Sequence, residues 1–457
     1  MSLSDKLEMT GRLFFAALAS IFVLSPLRGA GVPVEECDVC VVGGGAAGIA
    51  AALQSGRAGA KTVLVEQGFQ VGGNMTTGGV GWPGLFHAWG RQIIDGCAYE
   101  LITNTVVSAG GQLPDFTKPV GIKHWHHQIK INMPLYVLIA EEALTKAGVA
   151  IKYHASPVSI KDESGRWVLD IAAVGELRRL RAKVVIDCTG NGAAAAMAGG
   201  ARLRDKETAP GSFRYVLNPN TDIKKLDIAK IEKAFRAAVK EGRLKRTDKR
   251  GSMSGYLKSG GDVYNYIVPA DNSTAEGRTR TNMRGRESLL RMYRFLREQP
   301  GLENLELVSM SAEVGVRETY RVEGDYVMTH SDYVSGRDFD DALAYAFYPI
   351  DLHDKKKGIK PKHLEEGRVA KVPMRSLMVK GLRDFLVAGR CMSSDRLANS
   401  ALRVEATCMA TGQAAGAAAA LAAKSSRSVR DVPAAEIRAA LAASGAIVPD
   451  VAAAEKQ

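Results

Sequence analysis

Asp38-Val39-Cys40-Val41-Val42-Gly43-Gly44-Gly45-Ala46-Ala47-Gly48 is the stretch on which the fold turns. A β-forming run enters Gly-x-Gly-x-x-Gly, and an alanine-rich segment follows through Ala52 and Leu53. That order predicts strand, tight turn and helix. Gly43 permits the turn, Gly45 lets backbone approach a phosphate, and Gly48 lets helix and strand pack closely. The helix beginning at Ala46 and Ala47 offers unpaired N–H groups and a partial positive charge, which suit an anion. A second strand, Thr62-Val63-Leu64-Val65, follows Gly59 and ends in Glu66, 18 residues beyond Gly48, where an acid accepts ribose hydroxyls. A glycine-rich turn with an ordinary surface glutamate would not need this combination of strand, spacing and acid.

Further along lie Gly72-Gly73-Asn74-Met75-Thr76-Thr77 and, far away, Leu382-Arg383-Asp384-Phe385-Leu386-Val387-Ala388-Gly389-Arg390-Cys391-Met392-Ser393. Between them, Val184-Val185-Ile186-Asp187-Cys188-Thr189-Gly190 reads as a buried strand entering a turn. Together these motifs resemble the FAD-dependent oxidoreductases related to glutathione reductase and to succinate dehydrogenase/fumarate reductase. The resemblance implies that FAD is the cofactor, that Gly72, Gly73 and Asn74 line it, and that Thr189, Gly190, Gly389 and Arg390 return to it. Arg390 stands where an acid often follows the late glycine. The stretch from Arg403 and Val404 to Gly416 reads as a small-residue helix whose N-terminus faces the flavin, placing N–H groups near its pyrimidine edge.

The fold class expected is α/β: a Rossmann-type, glutathione reductase-like FAD-binding domain with an inserted α+β cap or substrate domain. Its segments are 37–204 and 371–425 for the FAD-binding domain, 205–370 for the cap, and 426–457 for a C-terminal tail. The cap assignment rests on a change to charged helices and loops. Glu318-Thr319-Tyr320-Arg321-Val322-Glu323-Gly324-Asp325-Tyr326-Val327 and Tyr348-Pro349-Ile350-Asp351-Leu352-His353 extend the family resemblance over most of 38–425.

Hydride transfer needs a substrate carbon over the ring, a general acid or base, and groups that fix polar substituents. Arg321, Tyr348 and His353 are the candidates, with Arg317 and Asp351 nearby in sequence; a cap-to-core salt-bridge network is the competing reading. His87, in the loop after Gly72 and Gly73, is a further candidate. His124-Trp125-His126-His127 has neither the facing nor the extra ligands of a metal site, so no metal is assigned. Cys37 and Cys40 lie in or before the first strand, where residues three apart point to opposite faces, and read as packing.

The composition of the whole 457-residue chain is that of a globular protein: 46% hydrophobic, 6% aromatic, six cysteines without regular spacing. The net charge of +12 is concentrated partly in 224–250 and 278–297. No nucleic-acid module accompanies it, so no nucleic acid is assigned, and an anionic small-molecule substrate is the more economical reading. Residues 1–31 read as a signal peptide or N-terminal anchor: Lys6 and Arg12 precede an apolar or small run over 13–24, too short for a comfortable membrane span, and Gly29-Ala30-Gly31 suits cleavage. An exported location, periplasmic or extracellular, follows as an expectation, with the cytoplasm left open. The sequence thus supports an FAD-dependent oxidoreductase acting on a small organic or sugar-like molecule with an unidentified electron donor or acceptor. An electron carrier or structural FAD binder, and a flavin-assisted redox-neutral lyase, stay open at this point.

Overall fold

The computed structural model describes residues 32–258, 262–354, 358–359 and 362–450; the apolar run at 13–24 and the cleavage triplet lie outside them. The described residues from 35 onward form one compact unit. Strand β1 (Val34–Val42) runs into helix α1 (Ala46–Arg57) and returns in β2 (Thr62–Val65), parallel to β1 with Val42 beside Val65. A helix over Met133–Lys146, capped by the Asn132 side chain with Pro134 in its first turn, leads to β3 (Ala150–Lys152), parallel to β2. An antiparallel meander follows: β4 (Ala155–Glu163), β5 (Arg166–Ala173) and β6 (Glu176–Asp187). The sheet order is β3-β2-β1-β6-β5-β4.

The chain then enters the insertion. β7 (Gly211–Asn218), helix α2 (Ile228–Lys240), β8 (Asp262–Ile267), helix α3 (Ala275–Arg297) and β9 (Glu306–Met310) build an antiparallel sheet ordered β8-β7-β9 with helices against it. Its core, from Phe213 to Val314, is separate from those of the main sheet. The basic stretches fall on α2, which buries only Ile231, Phe235 and Ala238, and on α3. From Val322 onward the buried residues join the two cores of the main sheet, including Leu343, Phe347 and Ile350. As a packing unit, then, the insertion is shorter than the expected 205–370, because polar sequence continued past the point where the chain rejoined the main core.

β10 (Phe385–Val387) completes the sheet, parallel to the end of β6 with Val387 beside Asp187. Helix α4 (Glu405–Ser425) lies along α1. A Cβ at Gly412 would sit 2.1 Å from the Ala47 carbonyl oxygen, and one at Gly416 2.4 Å from that of Ala51, so glycine is what allows this approach. The expected tail is no tail up to its last described residues: Val429, Val432, Ile437 and Leu441 are buried in the main core.

One local departure has a physical cause. Asp38 and Val39 N–H both point at the Lys61 carbonyl oxygen, at 2.8 and 3.2 Å; this bulge upsets the alternation. Cys37 and Cys40 therefore join one core instead of facing apart, and contact with Cys37 together with burial holds the Cys40 thiol well above its usual range. Among the described residues, no helix is long and apolar enough to cross a membrane.

Candidate active site

Parallel pairing puts the ends of β1, β2, β6 and β10 at one edge of the sheet, where open α/β sheets bind ligands. Gly43 has φ +102°, and a Cβ there would lie 2.6 Å from the Cys188 carbonyl oxygen. A Cβ at Gly48 would lie 1.7 Å from the Gly43 carbonyl oxygen, whereas one at Gly45 would meet nothing within 4 Å. Two glycines serve packing, and the middle one faces open space. The first turn of α1 carries no acidic residue, so its free N–H groups keep their positive potential.

The second glycine turn is laced to the first. Gly72 N–H donates to the Gly44 carbonyl oxygen at 2.8 Å, and Gly72 has φ +105°. Glu66 accepts from Gly44 N–H at 2.6 Å and from Gly68 N–H at 2.7 Å. A carboxylate has about four acceptor positions, so capacity for two hydroxyls remains. Asp187, buried at the end of β6, accepts from Thr189 N–H, Thr189 Oγ1 and Ala195 N–H, which fixes the Thr189-Gly190 turn; burial raises its carboxyl. Arg390 donates through Nε to the Gly190 carbonyl and through Nη1 to that of Val316, both at 2.8 Å. Burial first, and Arg278 second, bring its guanidinium down to about 10, still charged at neutral pH.

These residues line one cleft: Gly43, Gly45, Ala46, Ala47, Glu66, Gly72, Gly73, Asn74, Thr189, Gly190, Gly389, Arg390 and Arg403, with about 1470 Å³ of atom-free space including its mouth. Gly48 lies behind it. The cleft suits FAD: an open cradle at Gly45, free helix N–H groups for a diphosphate and an acid at the ribose position.

A second cavity, of about 1220 Å³ measured the same way, adjoins the cleft at Asn74, Arg403 and Glu405. Tyr348, His353 and Val404 line it, as do Arg317, Asp351, Arg250, Trp82, Tyr264 and Tyr266. Gln128 Nε2 donates to the Tyr348 hydroxyl at 2.9 Å, and burial pushes that phenol up to about 12, so it stays protonated. His353 Nε2 lies 2.9 Å from Asp351 Oδ2. Burial lowers His353 below the ordinary histidine range, although Asp351 opposes this. The neutral ring, donating from Nε2 to the carboxylate, leaves Nδ1 without a partner. Arg317 donates to the Pro210 carbonyl at 2.6 Å and Ser212 Oγ at 2.7 Å, and burial brings it down to about 10.

Two candidates lie elsewhere. Arg321, 6% exposed, gives Nε to the Ser394 carbonyl and Nη2 to Asp205, and lines neither cavity. Its β-bridge register with Leu203 points it into this network; Arg317 is the arginine that reaches the cavity. His87 is buried, stacked on Phe116 at 3.6 Å, and lowered to about 4 mainly by burial. Its loop turns into an aromatic cluster with Trp89, His124 and Phe347 instead of following the cleft. Conversely, Glu405 and Arg278 line the cleft without having been candidates. Glu405 sits within the quoted helix motif and was readable as a polar residue at its start; Arg278, on α3, has no local signal.

The fold and cleft define a dinucleotide-binding protein of the flavoprotein type. A family model described as FAD dependent oxidoreductase matches residues 38–441, and the chain belongs to that family. It is an FAD-dependent oxidoreductase. Similar solved structures include a geranylgeranyl bacteriochlorophyll reductase-like protein from Thermoplasma acidophilum, 14% identical with TM-score 0.43, covering 89% of this chain and 83% of that one. A p-nitrophenol 4-monooxygenase from Pseudomonas putida is also 14% identical, with TM-score 0.40, covering 89% of this chain and 85% of that one. Comparison with curated protein sequences returned no match.

Proposed function

We propose that the chain transfers a hydride between FAD in the glycine-rich cleft and a small anionic organic molecule in the second cavity. The observation that carries this is the junction: Asn74, Arg403 and Glu405 border both spaces, so a molecule in one abuts the contents of the other. In this reading the first turn of α1, with Gly43, Gly45, Ala46 and Ala47, takes the diphosphate, and Glu66 takes the ribose hydroxyls. Gly72, Gly73, Asn74, Thr189, Gly190, Gly389, Arg390, Arg403 and Val404 enclose the remainder, with Gly48 supporting the turn from behind.

Charge supports an anionic substrate. Arg250, Arg317 and Arg403 face the cavity against Asp351, which its neighbours His353, Arg403 and Arg317 hold below the usual carboxylate range against the opposing effect of burial. Guanidinium offers a fixed fork of donors to an oxyanion, and the rings of Trp82, Tyr264 and Tyr266 provide apolar walls. Tyr348 and the His353–Asp351 pair are placed to move a proton as the hydride passes.

Anaerobic mixing of the yellow holoprotein with a library of carboxylates, phosphates and sugar acids, followed by flavin absorbance, tests this reading. Bleaching by an anionic compound and not by its neutral ester is expected. Bleaching only by neutral compounds would refute the anionic assignment. No bleaching or reoxidation by any compound, in either flavin state, would favour an electron carrier. Independently, we propose that residues 13–24 direct export; N-terminal sequencing of the protein from its host is expected to begin near Val32, and an intact Met1 would count against it.

A further inference from the structure

We propose that Arg278, carried into the FAD cleft by helix α3 of the insertion, binds the cofactor's diphosphate together with Arg390. This rests on the placement of FAD in that cleft and asks nothing of the second cavity.

The two guanidiniums come from distant parts of the chain. Arg278 stands near the start of α3, and Arg390 follows the late glycine turn after β10. The segment 311–316, which ends the insertion, brings them together. Glu313 N–H donates to the Thr77 carbonyl at 3.1 Å. Asn74 donates through Nδ2 to the Val316 carbonyl at 2.6 Å and accepts from Val316 N–H at 3.0 Å, and Arg390 Nη1 donates to the same carbonyl. Asn282, one turn beyond Arg278, accepts from Val314 N–H at 2.8 Å and so fastens α3 to this segment. Arg278 and Glu313 thereby line the cleft beside Asn74, Thr77 and Arg390.

Neither guanidinium is neutralised there. Among the described residues nothing accepts a hydrogen bond from Arg278: its Nε is buried without a partner, and the one carboxylate within 4 Å, Glu313, lies 3.9 Å away. Arg390 uses Nε and Nη1 on carbonyls and pairs with no acid among the described residues. The two arginines also repel each other, since after burial Arg278 is the foremost influence lowering Arg390. The other acids of the cleft do not balance them. Glu66 is held by two backbone N–H groups at the ribose position, and burial raises Glu405 to about 7, so it is only partly ionised at neutral pH.

Two guanidiniums brought together without counter-charges disfavour the fold, and an anion between them offsets that. In oxidised FAD at neutral pH the diphosphate is the ionised group. Gly389, whose Cβ would lie 2.7 Å from that of Ala47, sets Arg390 beside the first turn of α1. The helix N–H groups then serve some of the diphosphate oxygens and the guanidinium forks serve others. Because Arg278 belongs to the insertion and Gly45 to the main sheet, the bound cofactor ties the two together.

Fluorescence titration of FAD into the full-length protein depleted of cofactor tests this, with the midpoint potential of the reconstituted protein as a second readout. Arg278→Met should weaken FAD about 10-fold or more, the worth of a charge-assisted hydrogen bond. Arg278→Lys should recover part of the loss. Glu313→Gln, which removes the competing carboxylate, should tighten FAD. A plain Arg278–Glu313 ion pair would instead make Arg278→Met and Glu313→Gln lower the melting temperature alike with FAD binding unchanged, and that result would overturn the proposal. The diphosphate carries the same charge in both flavin states, so the potential of Arg278→Met should match wild type. A fall in potential with unchanged affinity for oxidised FAD would put the guanidinium on the reduced ring and overturn the diphosphate assignment. If Arg278→Met does not fold, Glu313→Gln decides: tighter binding supports the proposal, and unchanged or weaker binding overturns it. Full FAD occupancy in Gly45→Val would refute the cleft itself, whereas weak FAD in Gly45→Val beside unaffected Arg278→Met overturns only the arginine's part.

Discussion

The two adjoining spaces are built in opposite ways. The glycine-rich cleft takes its line from backbone: glycines of four turns meet at one sheet edge, and side chains fill in around them. The second cavity is made of side chains from segments near residues 74–82, 128, 212, 250, 264–266, 315–317, 348–353 and 403–405. Backbone sites need particular residues at fixed local spacing, so they leave motifs; side-chain sites converge in space and leave almost none.

The strongest way to break this contrast is within the first turn. Gly48→Val is expected not to fold, losing about 4 kcal/mol or more, because even its Cβ has no room. Gly45→Val, into open space, should keep native circular dichroism yet bind FAD about 100-fold or more weakly, some 2.7 kcal/mol by fluorescence titration. A Gly45→Val protein with full FAD occupancy would refute the cradle.

In the second cavity the backbone should tolerate change while chemistry does not. Tyr348→Phe or His353→Ala should retain FAD and lose about 100-fold in the rate of flavin reduction by substrate. Because burial lowers His353, its neutral form persists to lower pH than an ordinary histidine's. The acid limb of kcat/KM should therefore lie below the usual histidine range, and His353→Ala should abolish it. Stopped-flow rates close to wild type in both variants would return these residues to a structural role.

Arg317→Met should raise KM for an anionic substrate by about 10-fold or more with a smaller change in kcat. Equal effects on a neutral analogue would show a packing defect instead.

The smallest functional effect belongs to Arg321. Arg321→Met should leave turnover nearly unchanged while lowering the melting temperature, since it strands the Ser394 carbonyl and Asp205, at a cost of about 1–3 kcal/mol. Slow turnover with an unchanged melting temperature would restore Arg321 to the active site.

That Arg321 and His87 lie off both spaces, while Gly43, Gly45 and Glu66 line one cleft, has a single origin. A strand followed by Gly-x-Gly-x-x-Gly has few alternatives for its backbone. An arginine or histidine in a loop has many, and its partner is chosen by whatever else arrives. Arg317 and Arg321 are only four residues apart, yet one reaches the cavity and the other meets Asp205, a difference no local pattern encodes.

Hydrophobic periodicity, glycine spacing and the acid after the second strand were enough, by themselves, to point to a dinucleotide-binding α/β fold, and the family resemblance of the later motifs added FAD and a chain that returns to the sheet. These are consequences of local backbone geometry, which each segment carries with it. The tertiary structure alone decided where the insertion's core ends, that Cys37 and Cys40 share a face, which arginine lines the second cavity, and that Glu405 stands between the two spaces with its carboxyl raised. Those outcomes depend on burial and on charges brought together across hundreds of residues, and neither exists until the chain has folded.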